Sequence, residues 1–244
     1  MEEKIKSIVA VYTKIPAENI SNQTVIDRTA VASSIILHRM YGNLRNEGIP
    51  VENYWDIKTF GDLLKQLNGA DNIVVSEYTE ADSNANIQDE AILVGSDIEE
   101  VKNMPVVNDF REDEFYTMNF TSTEIAYAIL QPNPFATFAG LFAAKEAIIK
   151  ADNTYRNKKF NSIFIDHLPS GKPVHPEFSL SISHTNELAM ATAIKVNLST
   201  VSSQAALNPS VEKKSSNNKL LIYVLLFLAG ALTATLLMLI NSKK

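Results

Sequence analysis

The feature that most constrains this chain is a run of 21 residues without a charge, LLIYVLLFLAGALTATLLMLI, from Leu220 to Ile240. As a helix rising about 1.5 Å per residue, such a run spans a hydrocarbon core about 30 Å thick. It is apolar on every face, so it has no polar side to turn to water from a folded core. It reads as a transmembrane helix at 219–241. Lys213, Lys214 and Lys219 precede it and Lys243 and Lys244 follow it, so the distribution of positive charge does not orient it. Four residues of the sequence lie beyond the run, so it reads as a tail anchor, with the rest of the chain expected on one side.

Charge divides the remainder. Residues 1–68 hold eight acids and eight bases, whereas 69–91 hold six acids and no base. The second stretch reads as an acidic linker, with a short strand at NIVVSEY. Residues 92–197 carry most of the strand-like segments, and 198–218, rich in Ser and Asn, form a polar tether. A net charge of −6 excludes a general nucleic-acid binder. The absence of cysteine excludes disulfides, thiolate metal sites and a cysteine nucleophile.

The first block is helical. EKIKSIVAVYTKI places Ile5, Ile8, Val9 and Tyr12 at helical spacing before Pro16, SSIILHRMYGNLRNEG gives a second helix, and TFGDLLKQL a third with Thr59 as its N-cap. This small bundle resembles an acyl or peptidyl carrier domain, in which a modified serine opens the second helix. Counting forward from Ile20 puts that serine at Ser34, with Ser33 where the family has aspartate; counting back from Leu44 lands on Ala30 instead. The other reading is a plain helical domain with a capping serine.

In the second block, AILVGSDIEEV reads as a buried strand whose glycine marks a close approach. Alternation places Leu93, Gly95, Asp97 and Glu99 on one face and Glu100 on the other. Two carboxylates on one buried face repel each other unless a cation lies between them, and hard oxygen ligands suit Mg²⁺. EFSLSISHTNELAMATAIKV reads as a β-hairpin with His184 ending its first strand, a position where a histidine is either structural or catalytic. SGKP before it is a turn with Lys172 at the tip. In LFAAKEAIIKA, Lys145 falls in the middle of the apolar stripe of Phe138, Leu141, Phe142, Ile148 and Ile149. A solvated i,i+4 pair would account for Glu146 and Lys150 but not for Lys145.

VGSDIEEV, NFTSTE, LFAAKEAIIKA, GKP and SISHT occur in an order that resembles the 4′-phosphopantetheinyl transferases, in particular the short holo-acyl-carrier-protein synthase type. The glycine-rich turn that usually follows the helix is replaced by DNTYRNKKFN, a basic segment that is either a solvated loop or a holder of phosphate or a carrier face. The resemblance implies an α+β fold with an antiparallel sheet behind the helical bundle and ahead of the transmembrane helix. It implies transfer of 4′-phosphopantetheine from coenzyme A to a carrier serine, Ser34 in cis or a separate carrier in trans. Adenosine 3′,5′-bisphosphate would be released, and a trimer would be the assembly. It also implies that Asp97 and Glu146 bind Mg²⁺, with Glu99 as a third acid, although Glu100 matches the glutamate of the short type. Glu146 would then be the base and Lys150 the residue meeting charge on the phosphate, while Lys145, His184 and Lys172 orient coenzyme A. Because coenzyme A is cytosolic, the catalytic block would face the cytoplasm. Two other readings remain. One is a membrane-anchored carrier or scaffold with an inactive transferase-like domain. The other is an active enzyme whose bundle only docks partners.

Overall fold

The computed structural model describes residues 1–51, 54–68 and 91–197. The acidic linker with its expected strand, the tether and the expected membrane span lie outside these residues. Among the described residues no helix is long and apolar enough to cross a membrane.

The first block forms three helices, α1 (Glu2–Thr13), α2 (Ser34–Asn46) and α3 (Phe60–Leu67). α1 buries Ile5, Ile8 and Val9 and stops at Lys14, whose φ of 63° breaks the helix before Pro16. Ser33 caps α2 by accepting the Ile36 amide. Thr59 and Asp62 form a reciprocal capping box at the start of α3, so two otherwise orphaned amides are satisfied there. The loop between α1 and α2 is tied to that cap by the Ile26 amide on the Lys58 carbonyl and by a bridge between Val25 and Thr59. These bonds hold Arg28 and the start of α2 in place.

The second block is built on strand β1 (Ile92–Glu100). It continues through α4 (Glu114–Asn119), α5 (Ser122–Ile129) and α6 (Pro134–Ala151), and then β2 (Asp166–His167) and β3 (Pro173–Val174). The hairpin of β4 (Ser179–His184) and β5 (Leu188–Val196) ends it. β5 pairs antiparallel with both β1 and β4, giving the order β1-β5-β4, and β2 and β3 form a small ladder. Burial along β1 alternates strictly, with Leu93, Gly95, Asp97 and Glu99 facing inward. Opposite them on β5 stand the buried Ala189, Ala191 and Ala193.

Those small residues let α6 lie hard against the sheet. A Cβ at Gly95 would stand 2.0 Å from the Ala147 carbonyl oxygen and 2.6 Å from the Ala151 amide, so only glycine fits at this crossing. The approach expected from the sequence is therefore a helix backbone. α6 differs from a simple amphipathic helix, because it is buried nearly all round from Ala136 to Ala151. The far face of the sheet is open, with Ile92, Val94, Ile98, Met190, Ile194 and Val196 each between 39% and 59% exposed.

Both blocks belong to one unit, Met1–Leu198, and α2 is the seam between them. Ile35 is buried in the core of the second block, while Met118 of α4 is buried in the core of the first. His38 lies edge-on against Tyr54, Phe142 and Phe160 and bonds Asn119 through Nδ1 at 2.5 Å. Burial pulls the His38 imidazole down to about 4, so it is neutral at this seam.

Candidate active site

Residues from both blocks line a pocket of about 310 Å³, among them Arg28, Ser34, Lys58, Glu146, Lys150 and Arg156. The last turns of α6 supply Glu146 and Lys150, four residues apart and so on one side of the helix. The close crossing at Gly95 brings the inward carboxylates of β1 beside them. Lys150 Nζ donates to Asp97 Oδ1 at 2.5 Å and to the Ser96 carbonyl at 3.3 Å. Glu146 Oε2 accepts from Arg28 Nη1 at 3.1 Å, and Arg28 Nη2 stands 4.0 Å from Asp97. The i,i+4 pair suggested by the helix alone is thus replaced. Lys150 pairs across to the strand, and the cation on Glu146 comes from the bundle.

The site holds carboxylates with unused hydrogen-bonding capacity. Asp97 Oδ2 and Glu99 Oε2 are buried without a hydrogen-bond partner, and so is the Ser34 hydroxyl. Glu99 is pushed up to about 8, first by burial and then by the charges of Asp97 and Glu146. Burial also raises Glu146 to about 7, with Arg28 opposing it. Asp97 is raised by burial and held back by Lys150. Such mutual repulsion is what a bound cation would relieve. Among the described residues no group of three or more acidic or imidazole side chains is arranged as a metal cage. Of the three expected acids, Glu146 accepts from Arg28 and Asp97 from Lys150. The two orphaned oxygens of Asp97 and Glu99 still fit Mg²⁺, which commonly takes one or two carboxylates and fills its shell with water and substrate oxygen. Glu100, the alternative acid, points outward and pairs with Lys102 at 3.1 Å.

Three residues expected to orient coenzyme A do not line this pocket. Lys145 is fully buried, and its ammonium donates to Glu124 at 2.8 Å, to the Asn119 carbonyl at 2.8 Å and to the Phe160 carbonyl at 3.3 Å. Burial pulls its pKa down, opposed by Glu124. Its place in the apolar stripe is explained by a buried partner rather than by a ligand. Glu124, from the NFTSTE motif, also completes the α5 capping box and accepts the Ile165 amide. His184 is exposed at the end of β4, and Lys172 is exposed in the turn between β2 and β3. Neither lines the pocket.

Arg28 and Lys58 were missed because the sequence gives no local signal for them. Each is a single base in a charge-balanced helical block, and only the packing of that block against α6 brings it to the pocket. Arg156 was legible as part of the basic segment after α6, and it does line the pocket.

A model of the 4′-phosphopantetheinyl transferase superfamily matches residues 93–193. A holo-[acyl-carrier-protein] synthase of Chlorobaculum tepidum is 35% identical over 111 residues, covering 41% of this chain and 95% of that protein. Its counterpart from Caldanaerobacter subterraneus is 34% identical over 121 residues, covering 43% and 94%. A crystal structure of a holo-(acyl-carrier-protein) synthase from Bacillus anthracis in complex with CoA (3′,5′-ADP) is 30% identical, covering 43% of this chain and 96% of that one with a TM-score of 0.36. Nearly all of each bacterial relative is accounted for by the second block, so the bundle is an addition to what they contain. Because these relatives are 34–35% identical to the chain over nearly their whole length, the chain belongs to the 4′-phosphopantetheinyl transferase superfamily and is a transferase of the holo-[acyl-carrier-protein] synthase type.

Proposed function

We propose that this transferase moves 4′-phosphopantetheine from coenzyme A to the hydroxyl of an acyl-carrier-protein serine, with Mg²⁺, releasing adenosine 3′,5′-bisphosphate. The observation that carries the reading is one pocket that gathers Glu146, Lys150 and a buried serine hydroxyl with no hydrogen-bond partner. In the reaction the serine oxygen forms a bond to the phosphorus of phosphopantetheine, and the bond from that phosphorus to the bridging oxygen breaks. Glu146 takes the proton of the attacking hydroxyl. Lys150 and Arg156 meet the negative charge on the transferred and departing phosphates. Asp97 and Glu99 would hold Mg²⁺, which supplies charge neutralisation on the diphosphate when bound.

Ser34 is the acceptor we assign in cis. It is the first residue of α2, is 3% exposed, and lines the same pocket as Glu146. The test is the intact mass of the full chain after incubation with coenzyme A and Mg²⁺. Wild type should gain one phosphopantetheine, and both Ser34→Ala and Glu146→Gln should gain none. A chain that modifies neither itself nor any added acyl carrier protein sinks the enzyme reading. If Ser34→Ala alone is without effect, the cis acceptor fails and transfer in trans remains.

We further propose that Leu220–Ile240 anchors the enzyme in a membrane with the catalytic block on the cytoplasmic side, a reading supported by the uncharged run. Carbonate extraction and protease protection of membrane vesicles test it. Homo-oligomerisation through the outer face of β1 and β5 is supported by the six exposed apolar side chains there. A concentration-independent monomer in light scattering would exclude that assembly.

A further inference from the structure

We infer that the N-terminal bundle completes the phosphate-binding side of the transferase pocket. Arg28 and Lys58 reach from the bundle and Lys150 and Arg156 from the second block, and together they bind the diphosphate of the nucleotide cosubstrate. The inference rests on the proposed use of coenzyme A and adds to it a pair of binding residues outside the family-matched segment.

The bundle is not a generally positive surface, since residues 1–68 hold as many acids as bases. Its contribution to the pocket is nevertheless two cations against one acid, Asp27. Asp27 is engaged locally, accepting the Thr29 amide at 2.8 Å and the Thr29 hydroxyl at 2.6 Å. From the other side come Lys150, Arg156 and the carboxylate of Glu146. Four cations therefore line the pocket; Arg28 is paired with Glu146 and Lys150 with Asp97 behind it, which leaves the cations one charge ahead of Asp27, Glu146 and Asp97 together. Such a pocket suits an anion.

Arg28 has the geometry for this task. One edge of its guanidinium is fixed on Glu146, while the side chain is 53% exposed. A guanidinium carries five N–H donors in a planar fork that matches two phosphate oxygens at once. Anchoring by the carboxylate holds the fork in orientation before a ligand arrives. With Arg28 in place the pocket still has about 310 Å³ of open volume, at the low end for a small-molecule site. That is room for the phosphates, with the rest of the cosubstrate reaching outward. A bundle that served only to block the site would fill this space.

The test is calorimetric titration of coenzyme A, with Mg²⁺ present, into the full chain and into Arg28→Gln, Lys58→Gln and Lys4→Gln, each carrying Ser34→Ala so that no transfer in cis consumes the ligand. Melting temperatures are measured in parallel. Lys58 is exposed, so Lys58→Gln should melt with wild type; Arg28→Gln takes the cation from the buried Glu146 carboxylate and should melt lower, and Lys58→Gln stands alone if Arg28→Gln does not fold. Loss of Arg28 should weaken binding at least about tenfold, as expected for a charge-assisted hydrogen bond, with Lys58→Gln weaker than wild type in the same direction. Lys4, paired with Glu47 away from the pocket, controls for net charge and should bind as wild type. If wild type binds and both pocket variants bind equally well, the inference is wrong while the proposed function stands. Tighter binding by Arg28→Gln also overturns it, showing that Arg28 obstructs the site. If wild type does not bind coenzyme A, the reading on which the inference rests falls with it.

Discussion

Two charged clusters lie on neighbouring positions of α6, and they differ in completeness. Lys145 is sealed from solvent with three acceptors around its ammonium, and its partner Glu124 has both oxygens in use. One residue along, Glu146 is joined to a half-exposed arginine from another block, and beside it Asp97 and Glu99 each keep a buried oxygen without a partner. The first cluster is a closed network and the second an open one. A closed buried network contributes to a unique fold, whereas an open one keeps its unsatisfied charge for a ligand.

The comparison breaks most readily at Glu146. Glu146→Gln should lower the transfer rate by about 10²- to 10⁴-fold, the range for removing a general base, with the melting temperature close to wild type. A large loss of stability instead would make Glu146 a structural residue like Lys145. Lys145→Met is the reciprocal test and should cost about 3–5 kcal/mol of stability, because it leaves the Glu124 carboxylate buried without its cation. Urea unfolding measures this, and a cost below about 1 kcal/mol would remove the distinction between the clusters.

The open cluster also depends on how closely α6 sits on β1. Gly95→Ala should destabilise by about 1–3 kcal/mol, as overpacking does, and should reduce transfer by moving Lys150 away from Asp97. Full activity with an undiminished melting temperature would show that the crossing tolerates a methyl group. The smallest effect belongs to a third cluster past the end of the helix, where Lys195 joins Asp152 and Glu177 near the surface. Glu177 is held low by Lys195 and then Tyr155. Asp152, raised by burial, is brought below its ordinary value by Thr154 and Lys195. Carboxylates with depressed folded pKa values add stability above their unfolded values and lose it as pH falls through the folded ones. Lys195→Met should therefore cost about 0.2–1 kcal/mol near neutrality, and the two proteins should converge once acid protonates both carboxylates. A difference that persists in acid would assign the loss to packing against Phe178.

Much of this was legible in the sequence because it follows from period and local chemistry. The alternation of β1, the β4–β5 hairpin and the cap at Thr59 each depend on residues near in the chain, and Gly95 marked a close approach without naming its distant partner, the α6 backbone. Glu146 and Lys150 stood out in the sequence as candidates, and the pocket includes both. What escaped depends on contacts distant in sequence. Lys145 lay in an apolar stripe, and only the fold reveals that Glu124, 21 residues earlier, reaches its ammonium. Arg28 lies 118 residues from Glu146, and no spacing rule connects a loop of one block to a helix of another. Lys172 and His184 stood in the matching motifs, on a turn and a strand end outside the lining of this pocket.

The central claim is tested most directly by following both products of one reaction. The full chain is given coenzyme A, Mg²⁺ and a purified apo-acyl carrier protein, and adenosine 3′,5′-bisphosphate and modified carrier are measured together over time. The account predicts that with wild type the bisphosphate equals modified carrier plus modified enzyme, and that with Glu146→Gln both products form about 10²- to 10⁴-fold more slowly. Equal rates for wild type and Glu146→Gln, or bisphosphate released without modified carrier or modified enzyme, would contradict it.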